Sequence, residues 1–265
     1  MTARPRPLII AHRGASAHAP ENTLAAFRAA LALGADMIEL DVHPTADRRL
    51  AVIHDESIDR TCDGRGFVRE MTLAEIRSFD AGRWWGPGFA GQRVPALEEV
   101  LALARGRALV NVEVKAPLGG SRPGSVVEEV VAPLLAALDQ TGTRDAVLVS
   151  AFDPEVLRAL RAAAGEVAIG VLTEARVETA AGFRPDRLAR PLAVAAEVRA
   201  VSLHPYWRFV GPRLAGAAHE AGLAVYPWTV NREADLRRTL ALQVDGVITN
   251  HPDRLARVIR QAGHR

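Results

Sequence analysis

Short apolar runs alternate with alanine- and leucine-rich amphipathic stretches along most of the chain, and that alternation predicts a strand–helix repeat. The runs that read as strands are Leu8–His12, Met37–Val42, Leu50–His54, Ala108–Val114, Ala146–Ser150, Val167–Leu172, Ala200–Leu203, Leu223–Trp228 and Gly246–Thr249. Helical spacing lies between most of them, at Thr23–Leu33, Leu97–Ala104, Val126–Leu138, Pro154–Ala163, Pro212–Ala221 and Glu233–Leu242. Pro154 and Pro212 suit the first turn of a helix, and Gly34, Gly106, Gly142, Gly165 and Gly222 stand where helices should stop. Nine strands are one more than a closed parallel barrel uses. Parallel neighbours need a crossover of about a dozen residues, yet only His43 to Arg49 separate the second run from the third. Leu50–His54 is therefore expected to fold back beside the second strand as a hairpin. The other eight then close a (β/α)8 TIM barrel.

The stretch from Asp55 to Val94 breaks the repeat. It is polar and turn-rich, with Gly64, Gly66, Gly82, Gly86, Gly88 and Gly91 and the pair Trp84-Trp85. A structureless loop of that length is uncommon inside a compact domain. It reads instead as a small inserted subdomain, about 55–94, with one helix at Leu73–Phe79, placed to wall the strand ends. The full length of 265 residues fits one barrel of this kind, which takes roughly 250 residues.

Composition removes several functions. Apolar residues make up 49% and charged residues 24%, as in an ordinary globular enzyme. No run approaches the roughly 18 apolar residues of a membrane span, so stable membrane insertion is not expected. The Met1–Pro7 segment leads into a short apolar run with His12 and Arg13 at its end, too short and polar for a signal peptide. Cys62 is the only cysteine, so no internal disulfide can form and a cytoplasmic setting is the expectation. Net charge is +2, without a basic block or a basic stripe interleaved with aromatics, and nucleic acid is not an expected partner. Nothing in the sequence sets an oligomeric state. Lys115 is the sole lysine among 33 basic residues, which singles it out.

The candidate chemistry interrupts apolar strands. Glu39 and Asp41 are two residues apart and so point to one side of a strand, and Glu113 and Lys115 repeat the pattern later. Any one of these carboxylates could simply pair with an arginine. Three of them in otherwise apolar strands need neutralising, and an all-oxygen set suits one divalent cation, Mg²⁺ or Ca²⁺. His12 and His54 each end a strand, where a TIM barrel carries its active groups. A lone histidine there is often structural, but two beside carboxylates fit an acid–base pair, since imidazole works in either role near neutrality. Arg13 and Lys115 would offer a planar fork and a point charge to phosphate; a plainer role for Arg13 is pairing with Glu21.

Taken in order, the motifs make the chain resemble the glycerophosphodiester phosphodiesterase family nearly end to end. The carriers are His12-Arg13-Gly14 with Pro20-Glu21-Asn22-Thr23, Gly34 through Val42, Val52-Ile53-His54-Asp55 with Arg60-Thr61, and Asn111 through Lys115. Ser150-Ala151-Phe152, Trp228-Thr229-Val230-Asn231 and Asp245 through Thr249 follow. The resemblance implies hydrolysis of a small glycerophosphodiester to sn-glycerol 3-phosphate and an alcohol. It implies Glu39, Asp41 and Glu113 as metal ligands, His12 and His54 as acid and base, and Arg13 and Lys115 on the phosphate. Phe152 and Trp228 would line the glycerol side, and the insertion would be the family's subdomain. The nucleophile it implies is either water or the glycerol 2-hydroxyl.

Two positions depart from the family's pattern. Thr45-Ala46-Asp47 is followed by Arg48 where glycine is common, which bears on the hairpin turn. Thr249-Asn250-His251-Pro252 has Asn250 where aspartate is common, a change expected to lie away from the site. Two competing functions make different demands on the sequence. A phospholipase of related type would show an apolar rim, for which Trp84-Trp85 is the one candidate. A non-catalytic phosphate-binding barrel would lack one of the histidines or carboxylates, and all five are present.

Overall fold

The computed structural model describes residues 6–115, 126–176, 178–179 and 182–263; residues 1–5 of the N-terminal run lie outside them. β1 (Leu8–His12) leads through α1 (Leu24–Ala32) to β2 (Met37–Pro44). Thr23 starts α1 by accepting the Ala26 N–H on its hydroxyl at 3.3 Å. β3 (Leu50–Val52) then runs back antiparallel to β2 with Val42 opposite Val52, the hairpin that the short connection predicts. Arg48 takes a left-handed φ of +57° in that turn, so the conformation associated with glycine is kept by an arginine.

The insertion follows with α2 (Leu73–Ile76), which ends three residues before the predicted Phe79. Thr72 and Glu75 form a capping box on it, and the Leu73 N–H donates to Asp47 Oδ1 at 3.0 Å, tying the segment to the hairpin turn. Ile53, Ile58, Cys62, Val68, Leu73, Ile76 and Val94 close a second apolar cluster under it.

The repeat then resumes with α3 (Leu97–Ala104), β4 (Leu109–Val114), α4 (Ala132–Thr141) and β5 (Val147–Ala151). A π-helical turn at Val127–Val131 leads into α4, where the sequence predicts one continuous helix. Next come α5 (Pro154–Ala163), β6 (Ala168–Thr173), a small hairpin of β7 (Glu178–Thr179) and β8 (Gly182–Phe183), and α6 (Pro185–Glu197). The chain finishes with β9 (Ser202–Pro205), α7 (Pro212–Glu220), β10 (Ala224–Val225), α8 (Glu233–Leu240), β11 (Gly246–Thr249) and α9 (Pro252–Gln261).

Eight parallel strands stand in the order β10-β9-β6-β5-β4-β2-β1-β11, with β3 off the path, a nearly closed barrel. The Asp245 N–H reaches the Val225 carbonyl at 3.1 Å and the Ile248 N–H reaches Pro227 at 3.0 Å across the remaining gap. β10 is shorter than the Leu223–Trp228 expectation, although Tyr226 and Trp228 still donate to the Leu203 and Pro205 carbonyls at 3.0 and 3.1 Å.

Alternation sorts the side chains. Ile38, Leu40, Val42, Val110, Val112 and Val114 join the core between sheet and helices. The opposite face of the same strands carries Met37, Glu39, Asp41, Asn111 and Glu113. Ile10, Met37, Leu148 and Ile248 fill part of that interior with an apolar cluster. The polar positions follow toward the strands' C-terminal ends.

Candidate active site

β2 and β4 are parallel neighbours with Asp41 opposite Glu113, and that register puts three acids together. Glu39, Asp41 and Glu113 are all buried and offer ligand oxygens within 4.8 Å of one another. Their cations are close by. Lys115, just past β4, has Nζ 2.9 Å from Asp41 Oδ1 and is bonded to Glu113 Oε1. Arg13 has a left-handed φ of +55°, which turns its N–H onto Glu39 Oε2 at 2.8 Å. Its guanidinium meets Glu21 at 2.8 Å, and its Nε lies 3.2 Å from Asp41 Oδ2 without hydrogen-bond alignment. Arg13 therefore pairs with Glu21, the plainer of its two expected roles.

The charges shape one another. Burial, then Asp41 and Glu113, lifts the Glu39 carboxyl well above its ordinary pKa. Burial and Asp41 push Glu113 up to about 7, against the pull of Lys115. Asp41 goes the other way: burial opposes its ionisation, but Lys115 and Arg13 hold it far below the carboxylate range. Three crowded carboxylates face two cations, and Asp41 Oδ1 is buried without an aligned hydrogen-bond donor among the described residues. That donor set fits one more positive charge of the hard, oxygen-seeking kind.

His12, at the end of β1, has Nδ1 2.6 Å from Asn250 Oδ1 and Nε2 3.5 Å from the Thr229 hydroxyl. Burial, then Arg13, drives its pKa down to about 4. His54, two residues past β3, has Nδ1 2.6 Å from Asp55 Oδ1. Burial, then Arg13 and Lys115, lowers its pKa too, while Asp41 and Asp55 resist. Arg60 locks this corner, with Nε 2.6 Å from Asp55 and a terminal nitrogen 2.7 Å from Glu21. Trp228 donates its indole N–H to the His204 carbonyl at 2.8 Å, and Phe152 meets its ring edge-on at 5.6 Å. A cleft of about 310 Å³ lies beyond Phe152, lined by Leu157, Val171, Glu174, Arg187 and Arg190 among others.

Of the nine residues singled out by the sequence, eight lie on barrel strands or in the segments just after them, and His54 follows the hairpin strand β3. Together they gather three buried carboxylates with Arg13 and Lys115, and two imidazoles with separate partners. The family comparison agrees: the glycerophosphoryl diester phosphodiesterase family matches residues 12–254. The chain belongs to that family.

Among relatives, a glycerophosphodiester phosphodiesterase of Caldanaerobacter subterraneus is 40% identical over 259 residues, covering 97% of this chain and 100% of that one. A Bacillus subtilis glycerophosphodiester phosphodiesterase is 34% identical, covering 94% and 85%. Among solved structures, a putative glycerophosphoryl diester phosphodiesterase of Silicibacter pomeroyi superposes with a TM-score of 0.86 at 30% identity, over 98% and 95% of the two chains. A phosphodiesterase of Oleispira antarctica, in complex with the product sn-glycerol-3-phosphate, gives 0.83 at 28% identity, over 96% and 97%.

Sequence reasoning missed partners rather than principals. Asn250 was expected to lie away from the site, and it lies against His12; that expectation is corrected. Asn22 donates from Nδ2 to Asp41 Oδ2 at 2.9 Å, and Asp55 and Arg60 support His54. Asn22, Asp55 and Arg60 stand inside the motifs that carry the family resemblance, a signal without a role attached.

Proposed function

We propose that this enzyme hydrolyses glycerophosphodiesters to sn-glycerol 3-phosphate and an alcohol, with His12 as base and His54 as acid. The observation that carries the reading is the convergence of three buried carboxylates with Arg13 and Lys115 between two imidazoles. Glu39, Asp41 and Glu113 would hold one Mg²⁺ or Ca²⁺, which when bound supplies positive charge to the phosphate. Arg13 and Lys115 offset the negative charge that builds on the phosphoryl oxygens. With the Asn250 amide oxygen facing it, His12 Nδ1 keeps its proton, so Nε2 is the free lone pair. That nitrogen takes the proton of the attacking water, or of the glycerol 2-hydroxyl with water later opening the cyclic phosphate, as a new phosphorus–oxygen bond forms. His54, backed by the Asp55 carboxylate, can hold an imidazolium and gives its proton to the alcohol oxygen as the old bond breaks. Phe152 and Trp228 wall the glycerol, and the 55–94 segment bounds the cavity through Asp55 and Arg60 beside His54.

The test is release of glycerol 3-phosphate from several glycerophosphodiesters, run with chelator, Mg²⁺, Ca²⁺ and Mn²⁺. Turnover should require an added ion. His12→Ala and His54→Ala should each lower it by on the order of 10²–10⁴ with the fold intact by circular dichroism. Near-wild-type rates in both variants would refute the acid–base assignment, and undiminished turnover in chelator would refute the role of the carboxylates.

A further inference from the structure

Two histidines and an aspartate that the proposed mechanism leaves idle converge elsewhere on the barrel rim. His18 lies in the turn after β1, and His251 and Asp253 open α9. One ligand atom from each falls within 4.8 Å of the other two. His18 Nε2 is 2.8 Å from Asp253 Oδ1, and the His18 and His251 rings meet edge to face with centroids 6.1 Å apart. His251 is the N-cap of α9 but makes no side-chain cap. Its ring meets the ring of His18.

The two loops that bring these groups together are already braced. The His18 N–H donates to the Ala15 carbonyl at 2.8 Å, and the Ala17 N–H to the Asn250 carbonyl at 3.1 Å. The His251 N–H reaches the Thr249 hydroxyl at 3.1 Å, and the Asn250 N–H reaches Asn231 Oδ1 at 2.9 Å. Side chains presented from such a frame lose little freedom on gathering around an ion.

We infer that His18, His251 and Asp253 form a second divalent-cation site, selective for Zn²⁺. Two imidazoles and one carboxylate are a nitrogen-rich set that prefers Zn²⁺ to Mg²⁺ or Ca²⁺, the reverse of the all-oxygen cluster on β2 and β4. Three protein ligands leave the fourth position of a tetrahedral ion to water. A surface ion pair between His18 and Asp253 would explain two of the residues and leave the convergence of His251 without a reason. The dipole of α9 opposes a cation at its start, and Asp253 in its first turn counters that. A bound ion would fasten the 250–253 loop to the turn after β1. The site does not depend on the proposed activity.

Its test uses the full chain stripped by chelator and then supplied with excess Mg²⁺, so that the carboxylate cluster is offered its own ion. Zn²⁺ is added, and retention after gel filtration, calorimetric affinity and Tm are measured. The wild type should keep one Zn²⁺ per chain and gain Tm. His18→Ala and His251→Ala should each weaken Zn²⁺ binding by roughly 10- to 100-fold, abolish the gain in Tm and leave Mg²⁺-supported turnover unchanged. Glu39→Gln should still retain the rim Zn²⁺. Wild-type Zn²⁺ affinity in both histidine variants, no retained Zn²⁺ in the wild type, or loss of Zn²⁺ from Glu39→Gln alone would each overturn the inference.

Discussion

What separates His12 from His54 is the atom behind each ring: a neutral amide oxygen from Asn250 for one, the Asp55 carboxylate for the other. A carboxylate stabilises an imidazolium and an amide does so far less, which fits a base at His12 and an acid at His54. Asn250→Asp therefore carries a signed prediction. The new charge should raise the His12 pKa from about 4, by roughly one unit or more. The unprotonated base is then lost at higher pH, so the acid limb of the pH profile of kcat/KM should move upward. Asn250→Ala should instead lower kcat by about tenfold, because the ring loses the partner that fixes its tautomer. An acid limb that stays in place in Asn250→Asp would argue that His12 is not the base.

Where β1 meets α1, backbone geometry is as constrained as any side chain. Gly14 has a φ of +78°, and a Cβ there would lie 2.6 Å from the carbonyl carbon of Ala26 and 2.8 Å from its oxygen. Its N–H also contacts the Glu39 carbonyl at 3.3 Å, so the turn links β1, α1 and β2. Gly14→Ala should destabilise the protein by about 2–4 kcal/mol and disturb Arg13 beside it, as denaturant unfolding would measure. A loss under about 0.5 kcal/mol would mean that α1 shifts freely. The β2–β3 turn predicts the opposite sign. Arg48 holds a φ of +57° with an exposed side chain, so Arg48→Gly should gain about 1 kcal/mol by relieving left-handed strain.

The barrel interior as a whole carries a cost in acid. His204 is fully buried on β9, with Nε2 2.8 Å from the Ser202 hydroxyl and Nδ1 unpartnered among the described residues. Burial drives its pKa down to about 3. The unfolded chain, with an ordinary histidine pKa near 6.5, binds a proton that the folded protein rejects. Stability from this group is complete above that pH and declines as pH falls toward 3, by up to roughly 4 kcal/mol. Urea unfolding should show a shallower loss between pH 6.5 and 4 in His204→Gln than in the wild type. An unchanged slope would place the acid sensitivity elsewhere, with His12 the next candidate because its pKa is displaced in the same direction.

Local order along the chain was enough to read the strands that carry chemistry, because side chains alternate every two residues whatever the strand packs against. Glu39 with Asp41, and Glu113 with Lys115, were legible on that ground, and the Leu50 strand was legible as a hairpin from the length of its connection. The helices α6, which contains Pro191, and α9 are absent from the sequence reading, although Leu188, Val194 and Ala195 in one and Leu255, Val258 and Ile259 in the other stand at helical spacing. Partners were hidden altogether. Asn250 stands 238 residues from His12, and only the parallel pairing of β1 with β11 places the loop after one strand beside the end of the other. Residue types and their facing side are determined by neighbours in sequence. Which nitrogen faces an amide and which a carboxylate is decided by strand order and stagger, a property of the closed sheet that no single segment contains.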